Sequence, residues 1–254
     1  MFIYDNGIFV STLLKEKKVK HGFSTRVGGA SVLPHTSSMN VGFGKGDDDE
    51  TVLENIKRFE ALAGIEDSKT IYAPQIHSRI IRKIENDSFA SPVSECDGFI
   101  TDKNGVSLLI RMADCVPILF YGDGVVCAVH AGWRGTVSGI GEEAVSQFGK
   151  YGIKPENIIA AIGHCIHSCC FEVKEDFVEA VSKERGEAFA SKYIKKTENG
   201  IFADLVSMNE DILRSSGVSM IDKSEYCTAC NPNLFHSHRK TNGKRGTMGA
   251  VIAL

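Results

Sequence analysis

The chain has 254 residues, of which 43% are hydrophobic and 24% charged, and its net charge is −3 at pH 7. This length and composition exclude a disordered or fibrous protein and predict one globular domain over residues 1–254. The small, scattered charge excludes a surface built for nucleic acid or membranes, so we expect a small-molecule ligand. Asp5 and Asn6 split the N-terminal apolar stretch, and no apolar run reaches the roughly 20 residues of a membrane helix, which predicts a cytoplasmic protein.

Hydrophobic periodicity predicts alternating strands and helices. The clearest element is a helix over 49–63, where Val52, Ile56 and Phe59 recur at helical spacing before Gly64. In chain order we predict a strand at 19–25, this helix, strands at 70–73, 79–84, 107–112, 118–121 and 125–130, a helix at 138–148, a strand at 157–162, helices at 175–184 and 205–216, and a strand at 246–254. The strand at 125–130 is apolar at both alternating positions, which indicates burial on both faces. The fold class is therefore mixed α/β (α+β).

Reactive side chains follow several of these strands. Gln75 and His77 end a short strand, Cys115 stands beside Asp114 after another, and His130 ends a third. Cys115 suits either a thiolate nucleophile or a soft metal ligand, although a cysteine or histidine taken alone is as often structural. Together, His77, Cys115 and His130 offer two imidazoles and a thiolate, a donor set that suits zinc and leaves a fourth position for water or substrate.

Two glycine-containing loops carry arginines. HAGWRG at 130–135 places Arg134 next to the only tryptophan, and its guanidinium offers a forked donor to phosphate or carboxylate. The alternative is a tight turn plugged by Trp133, with Arg134 paired to a structural acid. HGFSTRVGG at 21–29 places Arg26 beside glycines, where it can bind an oxyanion. The alternative is a polar loop, and the acidic run at 47–49 is more simply a helix cap.

The remaining cysteines and histidines indicate at most a second, weaker site. We expect the eight cysteines to be reduced in a cytoplasmic protein of this size. Cys227 and Cys230 have CxxC spacing, but no second such pair accompanies them. His164 and His167 stand near Cys165, Cys169 and Cys170 in a dense cluster, and His236 and His238 would share one face of a strand. A second metal is therefore the less favoured interpretation.

Ordered motifs give the chain a family resemblance. HAGWRG, ADCVP and PQIH resemble the laccase-domain family, also called the multicopper polyphenol oxidase or YfiH-type family. HGFSTRVGG, SMNVG, DGFIT, IGHCI, CCFEV and FHSHRK follow the order of that family, so the resemblance extends over nearly the whole chain. It implies a fold in which central sheets are flanked by helices, and zinc held by His77, Cys115 and His130.

The resemblance also implies a reaction. Members of this family are associated with phosphorolysis of adenosine, inosine and methylthioadenosine to the base and a ribose 1-phosphate sugar, and with deamination of adenosine. Purine nucleosides and phosphate are then the ligands. We expect Cys115, Asp114 and Arg26 to be catalytic, with Asp114 carrying a proton and Arg26 or Arg134 orienting phosphate. The expected substrate contacts are Arg134, Asn40 and Gln75.

Three other functions remain open from the sequence. Copper chemistry on phenols, the older label of the family, needs several His-x-His pairs, and this chain has one, at His236 and His238. A metal-free cysteine hydrolase or deamidase would use Cys115 as nucleophile and His130 as base, and would not need His77. A protein that binds metal without turnover is the third.

Overall fold

The computed structural model describes residues 1–66, 68–85 and 91–254. The strands, in chain order, are β1 (Phe2–Asp5), β2 (Ile8–Ser11), β3 (Lys20–Ser24), β4 (Lys69–Ile71), β5 (Ile81–Lys83), β6 (Gly98–Thr101), β7 (Val106–Met112), β8 (Val116–Gly122), β9 (Val125–Ala131), β10 (Ile159–Ile162), β11 (Glu172–Val173), β12 (Ile194–Thr197), β13 (Gly200–Ala203), β14 (Met220–Lys223) and β15 (Met248–Ala253). The helices are α1 (Thr12–Glu16), α2 (Asp49–Leu62), α3 (Trp133–Ser138), α4 (Ile140–Gly149), α5 (Glu175–Arg185), α6 (Glu187–Tyr193), α7 (Leu205–Ser215) and α8 (His238–Thr241). None of the described helices has the length and apolar composition that a bilayer crossing requires.

Two central sheets are stacked between helices. Sheet I has the strand order β1-β2-β3-β15-β7-β4, and sheet II has the order β14-β10-β8-β9-β6-β5. One hydrophobic cluster fills the space between the sheets, a second joins sheet II to α3 through α7, and a third joins sheet I to α2. The layers are therefore helix, sheet, sheet and helices, which confirms the expected mixed α/β fold with central sheets.

Alternation along the strands explains these layers. In β7, Leu108 and Ile110 face sheet II, whereas Leu109 lies against α2. In β9, Val126 and Ala128 face sheet I, and the residues that alternate with them face the helices. These two strands are apolar on both sides because their side chains alternate between two faces that are both covered.

Several predicted elements need correction. The predicted helix at 138–148 corresponds to α4, which begins two residues later at Ile140, because Gly139 adopts a left-handed conformation with φ 94° and separates α4 from the unpredicted helix α3. The predicted strand at 157–162 begins at Ile159, because Pro155–Asn157 forms a 3-10 turn. His236 and His238 do not share a strand, since α8 begins at His238. The predicted helices at 49–63, 175–184 and 205–216 are confirmed as α2, α5 and α7.

The strand register of sheet II brings distant loops to one end of the sheet. Val116 and Pro117 of β8 pair antiparallel with Ala131 and His130 of β9. The start of β6 lies beside the same end of β9, and the start of β5 lies beside the start of β6 because these two strands are parallel. The segments that precede β8, β6 and β5 therefore meet where β9 ends.

A buried carboxyl joins α2 to sheet I. Glu60 of α2 is 6% exposed and accepts hydrogen bonds from the hydroxyl groups of Thr70 in β4 and Ser107 in β7. Burial raises the pKa of Glu60 above its ordinary value, and these hydrogen bonds offset only part of the effect. The ionised form is therefore disfavoured in the folded protein.

Replacing Glu60 by Gln should remove this pH dependence. A carboxyl whose pKa is raised by folding stabilises the protein fully below its unfolded pKa, and that contribution is lost as the pH rises. The free energy of unfolding of E60Q should thus increase relative to that of wild type as the pH rises from about 4 towards neutrality. Urea unfolding across this range measures it, with the exposed Glu179→Gln as control. A difference that does not change with pH would contradict the prediction.

Candidate active site

Asp97 organises the end of sheet II where the loops meet. Its fully buried carboxylate accepts hydrogen bonds from the backbone N–H groups of Ile76, His77 and Ser78 at 3.2, 3.0 and 2.7 Å, and from the Ser78 hydroxyl at 2.7 Å. These bonds hold the 76–78 turn, in which His77 has the left-handed φ of 60°. Burial would raise the pKa of Asp97, but the hydrogen bonds from His130 and Ser78 lower it to about 2.

The same carboxylate orients His130. Nδ1 of this buried imidazole donates to Oδ1 of Asp97 at 2.9 Å, and the backbone N–H of His130 donates to the Asp97 carbonyl at 2.7 Å. With Nδ1 committed to the carboxylate, Nε2 is the ring nitrogen left for a further ligand. A carboxylate behind the imidazole in this way is the usual support of a metal-binding histidine.

The ligand atoms of His77, Cys115 and His130 lie within 4.8 Å of one another. Nε2 of His77 is 3.8 Å from Sγ of Cys115, and the two imidazole rings lie 5.0 Å apart at 77°. Zinc bonded tetrahedrally to sulfur and nitrogen would separate those two atoms by about 3.6 Å. The donor set and its spacing therefore fit one zinc ion.

The cysteine and the buried histidine polarise each other. Burial alone would raise the pKa of Cys115, but the imidazoles of His130 and His77 lower it to about 6. Burial would likewise lower the pKa of His130, whereas Cys115 and Asp97 raise it to about 9. The thiol is thus disposed to be a thiolate, which is the form that binds a metal or attacks an electrophile.

Gly132 leaves room for His77. A Cβ at this position would lie 2.5 Å from Cδ2 of His77, well inside contact distance. The backbone of Gly132, with φ −59° and ψ 161°, is otherwise one that alanine can adopt. The first glycine of HAGWRG is therefore required for its lack of a side chain beside the imidazole.

Two cavities adjoin the three donor residues. The first, of about 370 Å³, has an apolar wall made by Trp133, Ile166, Phe171 and Leu205. The second, of about 310 Å³, is lined by three cationic side chains, Lys45, Arg111 and Arg245. The residues that line both cavities are His77, Ala113, Cys115 and Arg245.

The two arginines of the second cavity lie close enough to Lys45 to disfavour its charge. Burial lowers the pKa of Lys45, and the charges of Arg245 and Arg111 lower it further. Arg245 donates from Nη1 to Thr247 at 2.7 Å, while its buried Nε has no hydrogen-bond partner among the described residues. An anion would satisfy this donor and relieve the repulsion.

Besides the three donor residues, two of the predicted site residues lie at these cavities. Gln75 lines the cationic cavity and exchanges two hydrogen bonds with the backbone of Arg111, at 2.7 and 2.8 Å. Asp114 lines the apolar cavity, where Oδ1 accepts from the hydroxyl of Thr228 at 2.6 Å and Oδ2 from the backbone N–H of Arg239 at 2.7 Å. Both carboxylate oxygens of Asp114 are therefore already engaged.

Three others lie elsewhere. The guanidinium of Arg26 donates to the carbonyls of Ser37 and Pro232, in a separate small cavity. Asn40 is fully buried and bonds to the backbone of Gly42 and to Asp47. Arg134 is exposed and stacks on the Trp133 ring at 4.1 Å. None of the three lines either cavity beside Cys115.

Sequence reasoning missed the residues that complete the site. Asp97 was visible only within the motif DGFIT, because an acid ahead of a strand has no spacing that predicts an imidazole partner. Lys45, Arg111 and Arg245 are far apart in sequence and carry no motif. These three cations come close to the predicted metal ligands only once the strands are paired.

The remaining histidines are mostly structural. His164 is fully buried, donates from Nε2 to the Ser24 carbonyl at 3.0 Å and stacks on Phe235 at 4.3 Å. Burial lowers the pKa of His164, and that of His236, to about 3. His238, by contrast, lines the apolar cavity.

Comparison with known proteins gives consistent matches. Residues 20–254 match the family described as multi-copper polyphenol oxidoreductase laccase. The purine nucleoside phosphorylase YlmD of Bacillus subtilis is 32% identical over 259 residues, covering 97% of this chain and 92% of the relative. The purine nucleoside phosphorylase YfiH of Escherichia coli is 35% identical over 225 residues, covering 87% and 89%.

Two solved structures superpose on this chain over nearly its whole length. The YfiH structure from Bacillus licheniformis superposes with a TM-score of 0.92 at 30% identity, covering 100% of this chain and 98% of that one. YlmD from Geobacillus stearothermophilus gives a TM-score of 0.88 at 31% identity, covering 99% and 98%. The expected YfiH-like fold is thereby confirmed.

Replacing Gly132 by Ala should weaken metal binding without unfolding the protein. The new Cβ displaces the His77 ring, and loss of correct imidazole placement should lower zinc affinity roughly 10–100-fold. Competition with a chromophoric chelator measures the affinity, and thermal melting of the metal-free protein checks the fold. Gly149→Ala is the matched control, because nothing lies within 4 Å of its Cβ position. Equal zinc affinity in the two variants would show that His77 is not a zinc ligand.

Proposed function

We propose that this chain, which belongs to the multi-copper polyphenol oxidoreductase laccase family, is a zinc-dependent enzyme that cleaves purine nucleosides with phosphate. The observation that carries the proposal is the position of His77, Cys115 and Arg245, which line both cavities. A cavity with an aromatic wall and a cavity lined with cations therefore adjoin one donor set. The names of the relatives, purine nucleoside phosphorylases, agree with this division.

The apolar cavity has the character that a purine needs. Trp133 and Phe171 present aromatic surface, and Ile166 and Leu205 complete the wall. Its volume of about 370 Å³ lies within the range of roughly 300–1,000 Å³ that is usual for small-molecule sites. Polar groups of Asp114 and His238 at the same cavity supply the few directional contacts that would select a base.

The cationic cavity would hold phosphate. Lys45 and Arg245 supply charge and N–H donors, while Arg111 is fixed by its own bond to the Ala73 carbonyl at 2.9 Å and by the rings of Phe43 and Tyr72. We assign phosphate to these cations rather than to Arg26 or Arg134, which lie outside the cavity.

The reaction joins the contents of the two cavities. A phosphate oxygen bonds to the sugar carbon that carries the base, and the bond from that carbon to the purine nitrogen breaks with its electron pair on the base, which takes up a proton. Lys45 and Arg245 orient the attacking phosphate, and the aromatic wall keeps the departing base in place. The products are the free base and a ribose 1-phosphate sugar, from adenosine, inosine or methylthioadenosine.

Zinc held by His77, Cys115 and His130 would supply Lewis-acid charge between the two cavities. The chain contributes the orientation of its donors, because Asp97 holds both the His77 turn and the His130 ring. These donors are less well suited to the copper centre of a polyphenol oxidase. Among the described residues, neither potential metal group has the several paired histidines that oxidase copper clusters need.

We extend the proposal to deamination of adenosine at the same site. Water adds to the purine carbon that bears the amine, ammonia leaves and inosine forms, without consuming phosphate. Asp114 lies at the apolar cavity as the predicted proton carrier, and its engagement by Thr228 and Arg239 fixes its orientation there.

One other function has a specific observation in its favour. The lowered pKa of Cys115 and the raised pKa of His130 are those of a thiolate–imidazolium pair, as a metal-free cysteine hydrolase requires. A hydrolase of this kind would work without His77 and would be inactivated by alkylation of Cys115 whether or not a chelator had been added.

Purified protein should release hypoxanthine and ribose 1-phosphate from inosine only when phosphate is present. Adenosine should give adenine with phosphate and inosine without it, and product identification by liquid chromatography with mass spectrometry distinguishes these outcomes. Cys115→Ala should abolish both reactions, while Cys127→Ala, a buried cysteine away from the cavities, should retain them. Unchanged turnover in C115A would refute the site, and full activity after removal of zinc would favour the metal-free hydrolase.

Replacing Lys45 by Met should affect phosphate more than nucleoside. Loss of one charge-assisted hydrogen bond should raise the KM for phosphate roughly 10-fold or more, with a smaller change in the KM for inosine. Steady-state kinetics with each substrate varied in turn measure the split. Lys57→Met, on the exposed side of α2, is the matched charge control. Equal effects on both substrates would place phosphate elsewhere.

A further inference from the structure

A second group of ligand atoms lies outside the site described above. Cys169, Cys170, Cys227 and Cys230 place their four sulfur atoms within 4.8 Å of one another. Sγ of Cys230 is 3.5 Å from that of Cys169 and 3.4 Å from that of Cys170. We call these residues the four-cysteine cluster.

Two turns supply the sulfurs, each contributing a pair. Cys169 and Cys170 belong to the turn that follows β10, and Cys227 and Cys230 belong to the turn that follows β14. A parallel bridge between Cys165 and Cys227, with the N–H of Thr228 donating to the Cys165 carbonyl at 2.9 Å, holds the turns side by side. The cluster therefore results from the pairing of β10 with β14 rather than from the CxxC spacing alone.

Backbone N–H groups point at the most buried of the four sulfurs. The N–H of His167 lies 3.5 Å from Sγ of Cys227, and the N–H groups of Ala229 and Cys230 also bond to it. Amides directed at one sulfur stabilise it as a thiolate, which is the form that a metal needs. Several thiolates this close repel one another unless a cation lies between them.

We propose that Cys169, Cys170, Cys227 and Cys230 bind a structural zinc ion, separate from the one assigned to His77, Cys115 and His130. Tetrahedral zinc with four thiolates sets every sulfur–sulfur distance to about 3.8 Å, close to the observed spacing. Polynuclear iron–sulfur clusters need a wider ring of cysteines, because the four thiolates are then divided between two or four irons. The cluster is thus of the size for a single ion.

This zinc would stabilise the wall of the apolar cavity by cross-linking the two turns that lie beside it. Phe171 follows Cys170 and lines the cavity, and Thr228 follows Cys227 and bonds to Asp114. Arg239 spans the same region, donating to the Cys170 carbonyl at 3.0 Å. A cross-link between the two turns holds both Phe171 and Asp114, so its loss should loosen the cavity without removing any group that contacts phosphate.

Zinc content measured on variants tests the assignment. Cys169→Ser with Cys230→Ser should lower bound zinc by one equivalent per chain relative to wild type, measured by plasma mass spectrometry. C115A should lose a different equivalent and keep that of the cluster. C127A should lose none. Cobalt-loaded C115A should show the intense thiolate-to-metal absorption of a four-sulfur site, which the additional C169S/C230S substitutions should abolish.

Alkylation of wild type provides the second measurement and does not depend on the folding of any variant. Bound zinc should protect the four cysteines from iodoacetamide, and a strong chelator should expose them together, as peptide mass spectrometry would show. Equal zinc in wild type and C169S/C230S would overturn the proposal. So would a disulfide within the cluster of the freshly purified protein, or alkylation of Cys169 and Cys230 at the same rate with and without chelator.

Discussion

The carboxylate of Asp97 is the contact on which the candidate site depends. It lies fully buried, which is costly for a charge, and is stabilised because it accepts three backbone N–H groups, one hydroxyl and the imidazole of His130. The same group therefore fixes the left-handed turn that carries His77 and the ring orientation of His130. Cys115 immediately precedes Val116, whose pairing with Ala131 sets the position of the cysteine.

The arrangement separates two kinds of chemistry by the layers of the fold. Sheet II and its helices supply Trp133, Ile166 and Leu205 to the apolar cavity, whereas the β7 end of sheet I and the loop before α2 supply Arg111 and Lys45 to the cationic one. The donor residues lie at the junction, where the chain passes from β7 in sheet I to β8 in sheet II. The layered fold thus brings an apolar lining and a cationic lining to the same donor residues.

Much of the fold was predictable from local patterns. Helix α2 follows from apolar spacing and from Asp48, whose side chain caps its first turn, and the fully buried β9 follows from its uninterrupted apolar run. The short strands β11, β12 and β13 were missed, because so few residues give no periodicity. Helix α3 was missed because its six residues are too few to show a helical period.

The sequence by itself determined the fold class, the family resemblance and the identity of His77, Cys115 and His130 as a donor set, because these depend on residue type and local order. Tertiary structure alone decided which polar groups join them. Strand pairing and loop packing bring Asp97, Lys45 and Arg245 to the donor residues. The same packing places Arg26 and Asn40 elsewhere, where their side chains form other hydrogen bonds. The four-cysteine cluster is the plainest case, since two turns some sixty residues apart in sequence meet only because β10 lies beside β14.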